Sequence, residues 1–260
     1  MLLAVDIGNS QTVLGVFDEG GQPLFVRRIA TNITQTADEL GVLIRALFKS
    51  DLVTTDTLDC LIVASVVPPL TEHWIELGRA LSIDDITVVS AQNCGELVIN
   101  LDTPAEAGAD RLANAVGAQM RYGTPAVVID FGTATNIDVI DRSGAYCGGV
   151  ISPGLETSAQ ALFSHAARLS AVDLVAPNAV IGTSTCSAVQ SGLLFGEATK
   201  VEGLVQRIIA EMEDMPIVIA TGGLAKTLAP LCSCIQHVDT TLTLFGLYHI
   251  AQGIPTRQHS

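Results

Sequence analysis

The sequence predicts an α/β protein built from two pseudo-symmetric lobes, and three observations predict it. Apolar runs rich in Val and Ile alternate with segments of helical spacing along the chain. Three strands followed by alternating helices and strands occur once, then restart after "GTP" at residues 123–125. The two starts also share a motif. "LLAVDIGNSQTVLGVFD" and "AVVIDFGTATNIDVID" each give an apolar run, Asp, one residue, Gly, a Thr/Ser/Asn cluster, a second apolar run and a closing Asp. No Pro/Ser-rich linker separates the halves. An N-terminal lobe over 1–115 and a C-terminal lobe over 116–260 are therefore expected, sharing a hinge and facing each other across a cleft.

In the first half, "LLAVDI", "TVLGVF" and "PLFVRRIA" read as short strands parted by Gly-containing turns. "TADELGVLIRALFKS" carries Leu40, Leu43, Ile44 and Leu47 at helical spacing, with Thr36 as candidate N-cap. "CLIVASVV" is a buried strand ended by Pro68-Pro69; a helix near 71–81, the strand "ITVVS" and the helix "EAGADRLANAVGAQMRY" follow. In the second half, "AVVIDF", "ATNIDVID" and "GAYCGGVI" are strands, and helical spacing returns at about 154–168 and 187–213. "PIVIATGG" is a buried strand entering a glycine turn, before helical "LAKTLAPL", strand "CIQHV" and helix "LTLFGLYHIAQG".

Composition narrows the function classes. Of 260 residues 48% are hydrophobic and 15% charged, which suits a globular chain with a real core. Thirteen Lys and Arg stand against 27 Asp and Glu, a net charge of −14. Such a charge repels nucleic acid and anionic lipid, so neither is an expected partner. An anionic ligand would need local help from a cation, backbone N–H groups or a few placed Arg. "MLLAVDIGN" has no basic n-region, and no apolar run approaches the roughly 20 residues of a membrane span, so a cytoplasmic protein is expected. Cys60, Cys94, Cys147, Cys186, Cys232 and Cys234 lie mostly among apolar or small residues and read as small hydrophobes. "CSC" at 232–234 lacks a second Cys/His pair, and the five His form no metal-ligand spacing.

The repeated turn has its own chemistry. A hairpin turn of Gly, Ser and Thr presents several backbone N–H groups to one side, and Gly lets phosphate approach the backbone. In the first copy these residues are Gly8, Asn9, Ser10, Gln11, Thr12 and Val13; in the second, Gly132, Thr133, Ala134 and Thr135. Asp6 and Asp130 would repel phosphate directly, but such a carboxylate can hold a hydrated Mg²⁺ that bridges to it, the role expected of Asp6. Two such turns would grip a polyphosphate. Thr221, Gly222 and Gly223, between a strand and a helical segment, supply a third small-residue platform.

Together the three turns resemble the phosphate-1, phosphate-2 and adenosine motifs of the actin/hexokinase/Hsp70 superfamily, which implies two ribonuclease-H-like lobes and ATP as ligand. "DTPAEAGADRLANAVGA" resembles the P-x-x-x-G-x-D-R signature of type III pantothenate kinases. "ASVVPPL", "GGVISPGL", "STCSAVQSGLLFG", "IATGGLA" and "LTLFGL" extend that likeness over nearly the whole chain. The resemblance implies transfer of the γ-phosphoryl of ATP to the hydroxyl of pantothenate, the first step toward coenzyme A. It implies Asp110 as general base, Arg111 on the substrate carboxylate, Gly108, Ala109 and Thr185 at the substrate, and Asp130 at a monovalent cation, K⁺ or NH₄⁺. It also implies a homodimer. Gly192 and Gly196, on one helical face, suit either an intramolecular helix contact or that subunit interface.

This chain departs from the family pattern in places. Ser10 and Gln11 replace Thr-Asn, Leu101 stands at a position commonly Tyr, and Thr183-Ser184 precede Thr185 in place of Lys-Asn or Lys-Asp. Two rival readings are another small-molecule kinase of the superfamily and a non-catalytic regulator that kept the fold. The zinc-type Cys motif of one sugar-kinase group is missing. Joint retention of Asp6, Asp110, Arg111, Asp130 and Thr185 favours catalysis over regulation.

Overall fold

The computed structural model describes residues 1–50, 54–166 and 171–253. The chain divides into two units: Met1–Arg121 together with the segment that begins at Thr241, and Tyr122–Thr240.

In the first unit, β1 (Leu2–Ile7), β2 (Gln11–Phe17) and β3 (Pro23–Ala30) form an antiparallel meander. β4 (Cys60–Ser65) adds parallel to β1 and β5 (Asp85–Val88) parallel to β4, giving the order β3-β2-β1-β4-β5. Leu3, Val5 and Ile7 of β1 and Leu14 and Val16 of β2 share one core cluster with α1 (Ala37–Ser50) and α2 (Pro68–Ala80). Strand alternation turns Leu2, Ala4 and Asp6 to the opposite face. Thr36 caps α1 as expected: its hydroxyl accepts from the Glu39 N–H at 3.3 Å, and the Glu39 carboxylate accepts from the Thr36 N–H at 2.9 Å. Pro68 and Pro69 open α2 at positions where no N–H partner is lost, so they end the strand region and start the helix.

The second unit repeats this plan. β6 (Ala126–Phe131), β7 (Ala134–Ile140) and β8 (Tyr146–Pro153) form the meander, and β9 (Ile217–Thr221) and β10 (His237–Val238) extend it in parallel, order β8-β7-β6-β9-β10. Val127, Ile129 and Phe131 pack in one cluster with α4 (Leu155–His165), the 28-residue α5 (Thr185–Met212) and α6 (Ala225–Leu228). Of the expected strand "CIQHV" only its last two residues pair. The closing Asp of each repeat does the same job. Asp18 accepts from the N–H groups of Gly20 and Gln22, both at 2.9 Å, and Asp141 from those of Ser143 (2.8 Å) and Ala145 (2.9 Å). Each carboxylate closes the second hairpin of its meander, and the Ser143 hydroxyl and its other donors hold Asp141 below the usual carboxylate range.

The last helix, α7 (Leu242–Gly253), packs on β1, β2 and β4 of the first sheet. The sequence division at 115/116 places it with the second lobe, whereas it belongs to the first unit. It meets α3 (Ala109–Tyr122) backbone to backbone: a Cβ on Gly246 would lie 1.8 Å from the Ala113 carbonyl oxygen, and one on Gly117 would lie 2.6 Å from that of Leu242. The buried Asn114 accepts a 2.7 Å hydrogen bond from the Thr243 hydroxyl at this crossing. No described helix is long and apolar enough to cross a membrane.

Candidate active site

The first turn joins β1 to β2. Ile7 and Thr12 are its last paired residues, and the Gly8 N–H donates to the Gln11 carbonyl at 3.0 Å. Thr31, just past β3, ties the turn from one side: its hydroxyl donates to the Gly8 carbonyl at 2.7 Å and its N–H to the Ser10 carbonyl at 3.0 Å. In a planar trans peptide the C=O and the following N–H point in opposite directions. Carbonyls drawn to Thr31 therefore aim the Asn9 and Gln11 N–H groups away from it, which is an arrangement of donors suited to an anion. The tip residues Asn9, Ser10 and Gln11 are exposed, and Val13 is half-buried opposite Asp6 on the neighbouring strand. Thr12 is buried, its hydroxyl 3.0 Å from that of Thr31, and so holds the hairpin from within.

The second turn is one residue shorter. Phe131 and Thr135 are its last pair, and the Gly132 N–H donates to the Ala134 carbonyl at 3.0 Å. The Thr133 carbonyl accepts from the Gly154 N–H at 3.1 Å and the Thr157 hydroxyl at 2.6 Å, which aims the Ala134 N–H the other way. Gly154 is required by this approach, since a Cβ there would lie 2.3 Å from the Gly132 carbonyl oxygen. "GGVISPGL" thus supplies the clamp on the turn. Thr135 is buried and donates to Glu197 at 2.6 Å.

Asp130 projects from the face of β6 opposite the α5 cluster. It pairs with Asn136 on β7 and Thr221 on β9, whose side chains share that face. Asn136 Oδ1 is buried and has no hydrogen-bond partner among the described residues. Gly222, at φ +90°, lies against the carboxylate: a Cβ would stand 2.4 Å from Asp130 Oδ1. Gly223 is exposed and Thr221 buried. The Leu224 N–H returns to the Phe131 carbonyl at 3.2 Å, and α6 is a single turn, so this platform offers a tight glycine bend and no extended helix dipole.

In the first unit, Leu101 lies in the loop before a 3₁₀ turn at Pro104–Glu106. α3 then begins at Ala109, and the Asp110 carboxylate accepts from the Arg111 N–H at 2.9 Å. A Cβ on Gly108 would fall 2.6 Å from Asp110 Oδ1, so glycine there leaves room for the carboxylate over the helix start. Burial pushes the Asp110 carboxyl above its usual range, against the Arg111 N–H and guanidinium, which pull it down. In the second unit Thr185 is the exposed first residue of α5, behind a Ser184/Ser187 capping box.

Sequence reasoning missed Thr31, Asn136 and Glu197, whose roles depend on strand register and on a helix over 50 residues away. The thiols are all free, and burial pushes those of Cys60 and Cys232 up to about 12, which leaves them unreactive. Among the described residues nothing lies within 4 Å of a would-be Cβ on Gly192 or Gly196, so no described helix packs closely on that face.

Two copies of one sheet topology, each with a glycine turn after a strand-end Asp, define the actin/hexokinase-like ATPase fold. Two solved structures share it at low identity: component A of (R)-2-hydroxyglutaryl-CoA dehydratase from Acidaminococcus fermentans, and an activator of 2-hydroxyisocaproyl-CoA dehydratase from Clostridium difficile with bound ADPNP. The first has a TM-score of 0.59 and 14% identity, covering 97% of this chain and 98% of its own. The second has a TM-score of 0.58 and 12% identity, covering 97% and 95%. A relative from Desulfosudis oleivorans, a type III pantothenate kinase, is 44% identical over 250 residues, 95% of this chain and 97% of its own. Residues 2–207 match the family model for type III pantothenate kinase. The chain belongs to that family.

Proposed function

We propose that this protein is a cytoplasmic, homodimeric kinase that transfers the γ-phosphoryl of ATP to pantothenate, giving 4′-phosphopantothenate and ADP, with Asp110 as general base. The observation that carries this reading is 44% identity to a type III pantothenate kinase over almost the full length of both chains. Asp110 suits the role chemically. A carboxylate whose proton affinity is raised by burial is a better base than a solvated one. It accepts the proton of the pantothenate hydroxyl as that oxygen bonds to the γ-phosphorus and the bond to the ADP oxygen breaks. Arg111 binds the substrate carboxylate through its planar fork, and Gly108, Ala109, Leu101 and Thr185 border the substrate. The Asn9 and Gln11 N–H groups in the first unit, and the Ala134 N–H in the second with Gly222 and Gly223 beside Asp130, are the groups assigned to phosphate.

Among the described residues no cluster of three His, Cys, Asp or Glu could hold a metal ion. A Mg²⁺ here would keep mainly water and phosphate oxygens, with Asp6 reaching it through water, which fits one half-buried carboxylate beside a donor-lined turn. The orphaned Asn136 Oδ1 beside Asp130 fits a monovalent cation bound by oxygen atoms. When bound, the two ions supply neutralisation of the nucleotide's charge. The open Gly192/Gly196 face of α5 supports the dimer; a 27 kDa particle by light scattering at micromolar concentration would count against it. The test of the function is ADP release with ATP, Mg²⁺ and K⁺, with and without pantothenate. A signal that does not depend on pantothenate across varied cation conditions would overturn the reading.

A further inference from the structure

Glu197 is 6% exposed, on α5 among Leu193, Leu194, Ala198 and Val201 of the second core cluster. A carboxylate persists in such surroundings only when it is paired and hydrogen-bonded, and an apolar replacement is often no less stable. Its two oxygens are both used. Oε1 accepts from the Thr135 hydroxyl at 2.6 Å and Oε2 from Lys200 Nζ at 2.7 Å. Lys200 also donates to the Pro153 carbonyl at 3.0 Å. Thr135 is the closing pair of the second turn, and Pro153 precedes Gly154, whose N–H holds the Thr133 carbonyl. The two side chains therefore brace the turn twice, at its base and through the loop that clamps its tip. The matching hydroxyl of the first turn, Thr12, meets the neutral Thr31 just past β3, and no charged partner for it is seen among the described residues.

We propose that the Glu197–Lys200 pair is a positioning device that sets the second turn for nucleotide phosphate, so that α5 fixes the aim of the turn's N–H donors. The proposal rests on the kinase reading, in which this turn contacts phosphate. Thr135→Val keeps the shape and removes the donor; Thr135→Ser restores it. The readouts are the Kd of a fluorescent ADP analogue, competition by adenosine (which has no phosphate), the KM values for ATP and pantothenate, and the melting temperature. With Thr135→Val, ADP-analogue Kd and ATP KM should rise about tenfold, one hydrogen bond's worth of affinity. Adenosine affinity and pantothenate KM should stay at the wild-type value, and Thr135→Ser should behave as wild type. A folded Thr135→Val with unchanged nucleotide affinity overturns the proposal, as does an equal loss for adenosine and ADP, which a merely structural role gives. If Thr135→Val does not fold, Lys200→Met, at a partly exposed side chain, carries the same comparison with the same outcomes. Failure of the kinase reading shows separately, as wild-type protein that binds the ADP analogue but releases no ADP on addition of pantothenate.

Discussion

Replacing Asp110 with Asn separates catalysis from stability more sharply than any other single change. The substitution keeps the size of the side chain, and an amide oxygen can still accept from the Arg111 N–H that lies 2.9 Å from the carboxylate. What it removes is charge and basicity. On its proposed role as general base, Asp110 should be worth 10²- to 10⁴-fold in kcat, or about 2.7–5.4 kcal/mol of barrier. Stability should move differently. Burial raises the folded-state proton affinity of Asp110 above its unfolded value. Its contribution is therefore fully present below the ordinary carboxylate value and is lost as pH rises from there through the higher folded value. Burial disfavours the ionised carboxylate, and a neutral Asn carries no such penalty. The attraction to Arg111 is lost in exchange, so Asp110→Asn should melt no more than about 1 kcal/mol below wild type at pH 7. Its standing relative to wild type should worsen as pH falls into the carboxylate range. The assay is kcat at saturating pantothenate beside melting curves from pH 4 to pH 8, with the wild-type kcat/KM profile expected to show an acid limb above the normal Asp range. A folded variant within about threefold of wild-type kcat, well short of the effect of a positioned base, would remove Asp110 from the mechanism.

Thr31→Val deletes the hydroxyl that meets Gly8 at 2.7 Å and Thr12 at 3.0 Å; it should cost about 1–2 kcal/mol by denaturant titration and raise ATP KM while leaving pantothenate KM unchanged. Activity should be higher in K⁺ or NH₄⁺ than in Na⁺ at matched ionic strength, and Asn136→Ala should raise the K⁺ concentration for half-activation; equal rates in all three salts would contradict the cation reading of Asp130 and Asn136. Gly246→Ala forces a Cβ into the Ala113 carbonyl, 1.8 Å away, and should lower stability by about 3 kcal/mol or more, read as a shifted urea midpoint.

Strand–helix order was legible because each sheet is built from long apolar runs, and because one three-strand pattern occurs twice with closing Asp residues in matching roles. Side-chain direction at the turns was not. Ser10, Thr12, Thr133 and Thr135 look alike as hydroxyls in a polar cluster, yet Ser10 and Thr133 are exposed at the tips while Thr12 and Thr135 are buried and bonded inward. One step along a strand reverses the face, and the two turns differ in length by one residue, so spacing from the Asp does not decide the matter. The place of α7 was equally hidden. What assigns it to the first sheet is a glycine-to-backbone crossing with α3, between residues more than 120 positions apart in sequence.

That crossing also shows that stretches carrying a family likeness can be scaffolding. "LANAVGA" and "LTLFGL" meet at Gly117, Asn114, Thr243 and Gly246, where the close approach admits no larger residue at the glycines. None of the four is a reactive group. Their effect is to pin α3 one turn beyond Asp110, so that the carboxylate at the helix start inherits a fixed backbone. In the second unit Glu197 and Lys200 restrain the turn between β6 and β7 in the same sense, through hydrogen bonds where α3 uses contact. Phosphoryl transfer depends mainly on position and charge neutralisation, with little covalent work for the protein. Residues that restrict backbone placement at a distance then bear on such a reaction without touching substrate.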